Sequence, residues 1–215
     1  MVTTLGPARL VDGGAHHSSM KIEGCPSRRA RKVRARVPAS VILLSVQVRV
    51  ATVDDAEAIA SVHVRSWQSA YRGMIPDTYL DALSVDRRSE AWSRILGGTD
   101  LPRTGTFVLS DRLDVIGFAH VAPTRDHDLP DSTGEVTGIY VAPGAWGRGG
   151  GRQLMEAARA TLKAAGFATA ALWVLETNHR ARTFYERQGW VREGERKIDD
   201  RGDFVLPEVR YITVL

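Results

Sequence analysis

Residues Gly134 to Ala160 read GEVTGIYVAPGAWGRGGGRQLMEAARA, a strand, a glycine-rich turn and a helix in succession. Glu135 to Val141 is rich in β-branched and aromatic residues and runs into Pro143 and Gly144, which marks a strand and its exit. Gly147, Gly149, Gly150 and Gly151 have no Cβ, so the backbone there can approach a ligand closely. From Arg152 the apolar positions Leu154, Met155, Ala158, Leu162 and Ala165 recur at three- and four-residue spacing, which predicts a helix with one buried face, stopped by Gly166.

A helix that follows such a loop aims unpaired backbone N–H groups and the positive end of its dipole at whatever sits there, and a phosphate is the natural occupant. Arg148 and Arg152 would add charge-assisted hydrogen bonds to the same oxygens. A Walker A loop needs Gly-Lys-Ser/Thr, and Arg152 and Gln153 stand after the glycines instead. A dinucleotide fingerprint fails on its third glycine, which would fall at Arg152. A third reading is a loop for the pyrophosphate of an acyl-CoA, and taken alone a glycine-rich loop with arginines can also be a surface turn. Gly138, inside the strand, predicts a bulge that turns backbone groups away from a neighbouring strand.

Working outward, Gln47 to Ala51 alternates as a first strand, and Thr52 caps a helix with Asp54, Asp55 and Glu57 in its first turn. Pro76 to Leu83 and Val85 to Leu96, the latter capped by Ser84, predict two further helices. Thr106 to Leu109 and Val115 to Val121 make a hairpin, and Ala168 to Leu175 is apolar enough for a strand covered on both faces. Asn178 to Arg187 is helical, with strands at Trp190 to Arg196 and Glu208 to Val214. The one crossover helix makes the strands on either side of it parallel within an otherwise antiparallel sheet, an α+β fold.

Residues 134 to 156, with Val141, Pro143, Gly149 and Gly151 in place, resemble the central motif of the GNAT superfamily of N-acetyltransferases; Trp146 stands where that family often has Gln or Arg. A second motif, Asn-x-x-Ala-x-x-Phe-Tyr-x-x-x-Gly-Phe, is matched by Asn178, Ala181, Phe184, Tyr185, Gly189 and, in place of the last Phe, Trp190. The resemblance covers residues 47 to 215 and implies the GNAT fold, a twisted, mostly antiparallel mixed sheet with helices on both faces. It also implies an acetyl-CoA-dependent N-acetyltransferase of bacterial type.

On that resemblance, backbone groups of Ile139, Tyr140 and Val141 hold the thioester and pantetheine, and Arg148, Gly149, Gly150, Gly151 and Arg152 hold the pyrophosphate. Asn178 contacts the pantetheine arm, and Tyr185 protonates the departing thiolate, a transfer only slightly uphill from a phenol of pKa about 10 to a thiol near about 8.5. Glu135 stands where histone-acetylating relatives carry a catalytic glutamate; as a residue it could equally pair with an arginine across the sheet. His63, Trp67, Tyr71 and Met74 are the acceptor-side expectation, because the first helix borders the substrate groove in this superfamily; individually, packing explains each of them as well.

The acceptor is then a primary amine of a small molecule or peptide, attacked directly in a ternary complex, with a homodimer as one assembly left open. The alternative is a catalytically silent acyl-CoA-binding regulatory module. No run of about 18 apolar residues predicts a membrane span. One cysteine, Cys25, and scattered histidines give no ligand set for a metal, and a single thiol suits a reducing cytoplasm. The net charge of +4 divides unevenly: residues 1 to 47 hold eight basic and two acidic residues, +6, so the rest carries −2. The basic pI therefore gives no reason to expect nucleic-acid binding by the folded part. Residues 1 to 46 read as a disordered extension; SRRARKVRARV before PASVILLSV is a weaker match to an export signal, and a start at Met20 or near Val46 would also account for it.

Overall fold

The computed structural model describes residues 46–215, so the expected N-terminal extension, apart from Val46, lies outside the described residues. Strand β1 (Gln47–Val50) leads into a capping box in which Thr52 and Asp55 serve each other's backbone, opening a 3-10 turn (Val53–Asp55) and then α1 (Ala56–Ala70). Asp55 is buried and accepts two 2.7 Å bonds from Arg49, so the start of α1 is tied to β1. That guanidinium holds the Asp55 carboxyl below its ordinary pKa. Two further helices follow, α2 (Asp77–Asp81) and α3 (Val85–Gly97), the second capped by Ser84 Oγ accepting from Arg87 N at 3.3 Å.

The hairpin β2 (Gly105–Asp111) and β3 (Asp114–Pro123) precedes β4 (Thr133–Val141). Then come α4 (Gly150–Ala164), β5 (Thr169–Leu175), α5 (His179–Arg187), β6 (Val191–Asp200) and β7 (Val205–Val214). The sheet order is β1-β2-β3-β4-β5-β7-β6, and β4 with β5 is its parallel pair, as one crossover helix requires. All nine residues of β4 are buried.

The sheet separates two cores. On one face α4 and α5 bring Leu154, Leu162, Ala181 and Tyr185 against Ile139, Val141 and Leu172. On the other, α1 to α3 bring Ile59, Trp67, Leu80 and Trp92 against Phe118, Tyr140 and Leu175. Alternation along β4 supplies both sides, with Tyr140 facing α1 and its neighbours Ile139 and Val141 facing α4.

Gly117 shows how closely β3 and β4 approach: a Cβ there would lie 2.9 Å from the Tyr140 carbonyl oxygen and 3.2 Å from Leu154 Cδ1. A backbone oxygen cannot step aside as a side chain does. Gly117→Ala should therefore cost about 1–3 kcal/mol, read as a lower urea midpoint with an unchanged slope; an unchanged midpoint would show that the strands are free to shift.

Candidate active site

The site begins where β4 and β5 part. They pair at Thr133↔Thr169, Gly134↔Ala170 and Glu135↔Ala171 and no further, although β4 stays on β3 to Val141 and β5 stays on β7 to Leu175. The separation starts at a bulge: His120 opposes Gly138 while Val121 opposes Val136, leaving Thr137 as the extra residue. Beyond it, Ala142 N donates to Ile116 O at 2.8 Å, which fixes the phase of the antiparallel ladder. By that phase Tyr140 turns its backbone to β3, whereas Ile139 and Val141 turn theirs into the gap. The expectation that all three backbones serve a ligand is corrected for Tyr140, because a strand presents alternate residues to each edge.

The glycine loop borders this gap. Gly147 and Gly149 take positive φ values of 77° and 83°, which side chains rarely adopt. The first helical amides to find acceptors are those of Arg152 and Gln153, both at Gly149 O (3.0 and 3.2 Å), so the N–H groups of Gly150 and Gly151 face outward as helix ends do. A Cβ on Gly150 would lie 2.3 Å from Leu109 Cδ2, so the start of α4 rests directly on β2. Helix α5 begins beside it: Asn178 Oδ1 caps Ala181 N at 3.1 Å, while the buried Asn178 Nδ2 has no hydrogen-bond partner among the described residues. Two helix N-termini and an unspent amide donor thus converge, a set that fits an amide-rich arm ending in a diphosphate.

A cavity of about 580 Å³ lies between the two helices, lined by Gly149, Gly150, Gly151 and Arg152 on one side and by Arg180, Phe184 and Arg187 on the other. Arg152 also pairs with Glu156 at 2.7 Å. Arg148 does not line this cavity; it borders a groove on the α1 side with Asp54 and Glu57. The left-handed Gly149 lies between the two arginines, and of the pair only Arg152 lines the cavity. The α5 contributions are not among the sequence expectations, although Arg180, Thr183, Phe184 and Arg187 share one helical face beside that of the buried Ala181 and Tyr185.

Tyr185 is fully buried and does not itself line that cavity; it packs beside the lining residue Phe184, with Trp190 and Tyr211. Glu135 is buried too, but both its oxygens accept from Arg125: Nη2 at 2.8 Å, Nε at 3.3 Å and the backbone N at 3.4 Å. Of the two readings open for Glu135, a base or an arginine pair, the pair is the one present, and the carboxylate anchors the loop after β3. His63 and Trp67 are 1% exposed and Tyr71 2%, packed with Trp92, Phe118 and Tyr140, so the expected acceptor contact gives way to packing for these three. Met74, 41% exposed, stands apart from them in the turn after α1.

The profile of the Acetyltransferase (GNAT) family matches residues 63–190. The chain belongs to this family. It is 35% identical over 159 residues, 73% of this chain and 87% of the relative, to the uncharacterized N-acetyltransferase YuaI of Bacillus subtilis (strain 168). PaiA N-acetyltransferase of Thermoplasma acidophilum, solved with coenzyme A, superposes with a TM-score of 0.61 at 19% identity, over 80% of this chain and 99% of that one. The yncA protein of Salmonella typhimurium, solved with its cofactor acetyl-CoA, gives 0.59 at 18% identity, over 80% and 94%. The GNAT fold expected from the two motifs is thus the fold observed, and the chain is an acyltransferase by family. Among the described residues no helix is long and apolar enough to cross a membrane.

His120 sits opposite the bulge, buried, with Nδ1 2.8 Å from Thr106 Oγ1. Burial, helped by the Arg125 charge, lowers its pKa to about 4. Because the folded pKa lies below the unfolded one, its stability contribution is complete above about pH 6.5 and fades as pH falls toward about 4. Between pH 7.5 and 5.0 wild type should lose about 2 kcal/mol more unfolding free energy than His120→Gln; equal losses in urea titrations would contradict this.

Proposed function

We propose that the protein transfers the acetyl group of acetyl-CoA to a primary amine, of a small molecule or a protein N-terminus, by direct attack in a ternary complex. The observation that carries this is the meeting of the open β4 edge, at Val141, with the N-termini of α4 and α5 at one cavity. The Thermoplasma and Salmonella proteins, solved with coenzyme A and acetyl-CoA, lend it support.

In this reading Gly149, Gly150 and Gly151 present their amides to the diphosphate, and Arg152 adds its charge. Asn178 donates its amide to the pantetheine arm. Ile139 and Val141 direct N–H groups at the thioester oxygen as negative charge develops there. The amine lone pair forms the new C–N bond, the C–S bond breaks, and Tyr185 gives its phenolic proton to the sulfur. With Glu135 committed to Arg125, water takes the proton that the amine releases. The single thiol, Cys25, makes the cytoplasm the natural compartment.

The commitment of Glu135 to Arg125 also gives the second reading, a silent acyl-CoA-binding module, its one point of support. An amine panel with acetyl-CoA, followed by free-thiol release, separates the two. Turnover is expected with at least one amine, and Tyr185→Phe should reduce kcat about 100-fold while CoA affinity holds. Tight CoA binding without thiol release for any amine would favour the silent module. For an alkylamine acceptor of pKa about 10.4, solvent deprotonation predicts kcat/KM rising tenfold per pH unit from about 6.5 to 8.5; a plateau across that range would return the base to a side chain.

A further inference from the structure

Trp146, which stands where the family often has Gln or Arg, bonds to the open edge of β4. Its indole Nε1 donates to the Val141 carbonyl oxygen at 2.6 Å, and Ser66 Oγ from α1 donates to the same oxygen at 3.2 Å. A carbonyl oxygen has two lone pairs, and both are taken. This is the carbonyl that the phase of β4 turns into the gap, where a pantetheine amide would need it as an acceptor. A cofactor amide can bond there only by displacing one of the two donors. Ser66, on α1, is wholly buried and does not line the cavity. Trp146 is half-buried, lines the cavity, and has its ring face covered by the Arg180 guanidinium at 3.9 Å, itself a cavity-lining side chain. The donor that can yield is the indole.

We propose that Trp146 is a positioning residue that sets acyl-CoA affinity by competing with the pantetheine arm for the Val141 carbonyl, with Arg180 holding the indole in the competing position. The inference rests on the reading that this arm runs along β4. It is specific to the arm, because the nucleotide end of the cofactor is held by the glycine loop and not by Val141. Trp146→Phe keeps an aromatic ring for Arg180 to cover and removes the one N–H that competes.

The test is calorimetric titration of wild type and Trp146→Phe with CoA and with 3′-phospho-ADP, which carries the nucleotide without the arm. One neutral hydrogen bond corresponds to about a five- to tenfold change, so Trp146→Phe should bind CoA tighter by that factor and 3′-phospho-ADP within twofold of wild type. An unchanged or weakened CoA affinity beside unchanged 3′-phospho-ADP affinity would overturn the competition while leaving the cofactor reading standing. Failure of wild type to bind CoA at all would overturn both. A second measurement needs no folded variant: the indole N–H of Trp146 in the wild-type chain should exchange slowly with solvent in the presence of 3′-phospho-ADP and faster with CoA. Slow exchange in both complexes would show that the indole keeps its acceptor, against the proposal.

Discussion

Everything in this molecule that concerns its chemistry depends on the parallel β4–β5 ladder stopping after Glu135↔Ala171. A sheet strand normally spends its backbone groups on both neighbours, and a buried group left without a partner is costly. Here the bulge at Thr137 and Gly138 turns β4 away from β5, so Ile139 and Val141 keep one edge open in the middle of a fully buried strand. The cost is offset on both faces by the packing of α4 and α5 below and α1 to α3 above. Substrate groups, Ser66 and Trp146 are the partners available to that edge.

The surroundings of the gap are arranged by charge as well as by packing. Two helix N-termini and the guanidinium groups of Arg152, Arg180 and Arg187 make the α4–α5 side attractive to anions. On the opposite face the loop after β3 is held down by ion pairs, Arg125 with Glu135 and the buried Arg210 with Asp126 and Asp128. Burial keeps the imidazoles of His63 and His120 from charging, so neither adds positive charge on the α1–α3 side of the sheet at neutral pH. The anion-attracting side and the ion-paired side are thereby separated by the thickness of one sheet.

Local patterns made much of this legible in the sequence. Thr52, Ser84 and Asn178 cap as their chemistry dictates, Gly138 marks the bulge, and one crossover helix fixes which strands run parallel. What was not legible depends on direction and on distant partners. The period of two that hides Tyr140's backbone from the gap requires the register with β3, which no local pattern supplies. Arg148 and Arg152 look equivalent until the turn at Gly149 sends them to different cavities. Glu135 meets Arg125 ten positions earlier in the chain, and His63 and Trp67 meet Phe118 and Tyr140 only through tertiary packing. The basic face of α5 is legible, since spacing alone groups Arg180, Phe184 and Arg187 on one face apart from Tyr185.

The central claim is that the open β4 edge and the start of α4 together receive one acyl-CoA. Residue-resolved backbone hydrogen exchange, with and without CoA, tests it most directly. The account predicts slower exchange at Ile139, Val141 and Gly149 to Gly151 on addition of CoA, with the β7 amides unchanged. Protection confined to the α1-side groove around Asp54 and Glu57, or no change along β4, would contradict it.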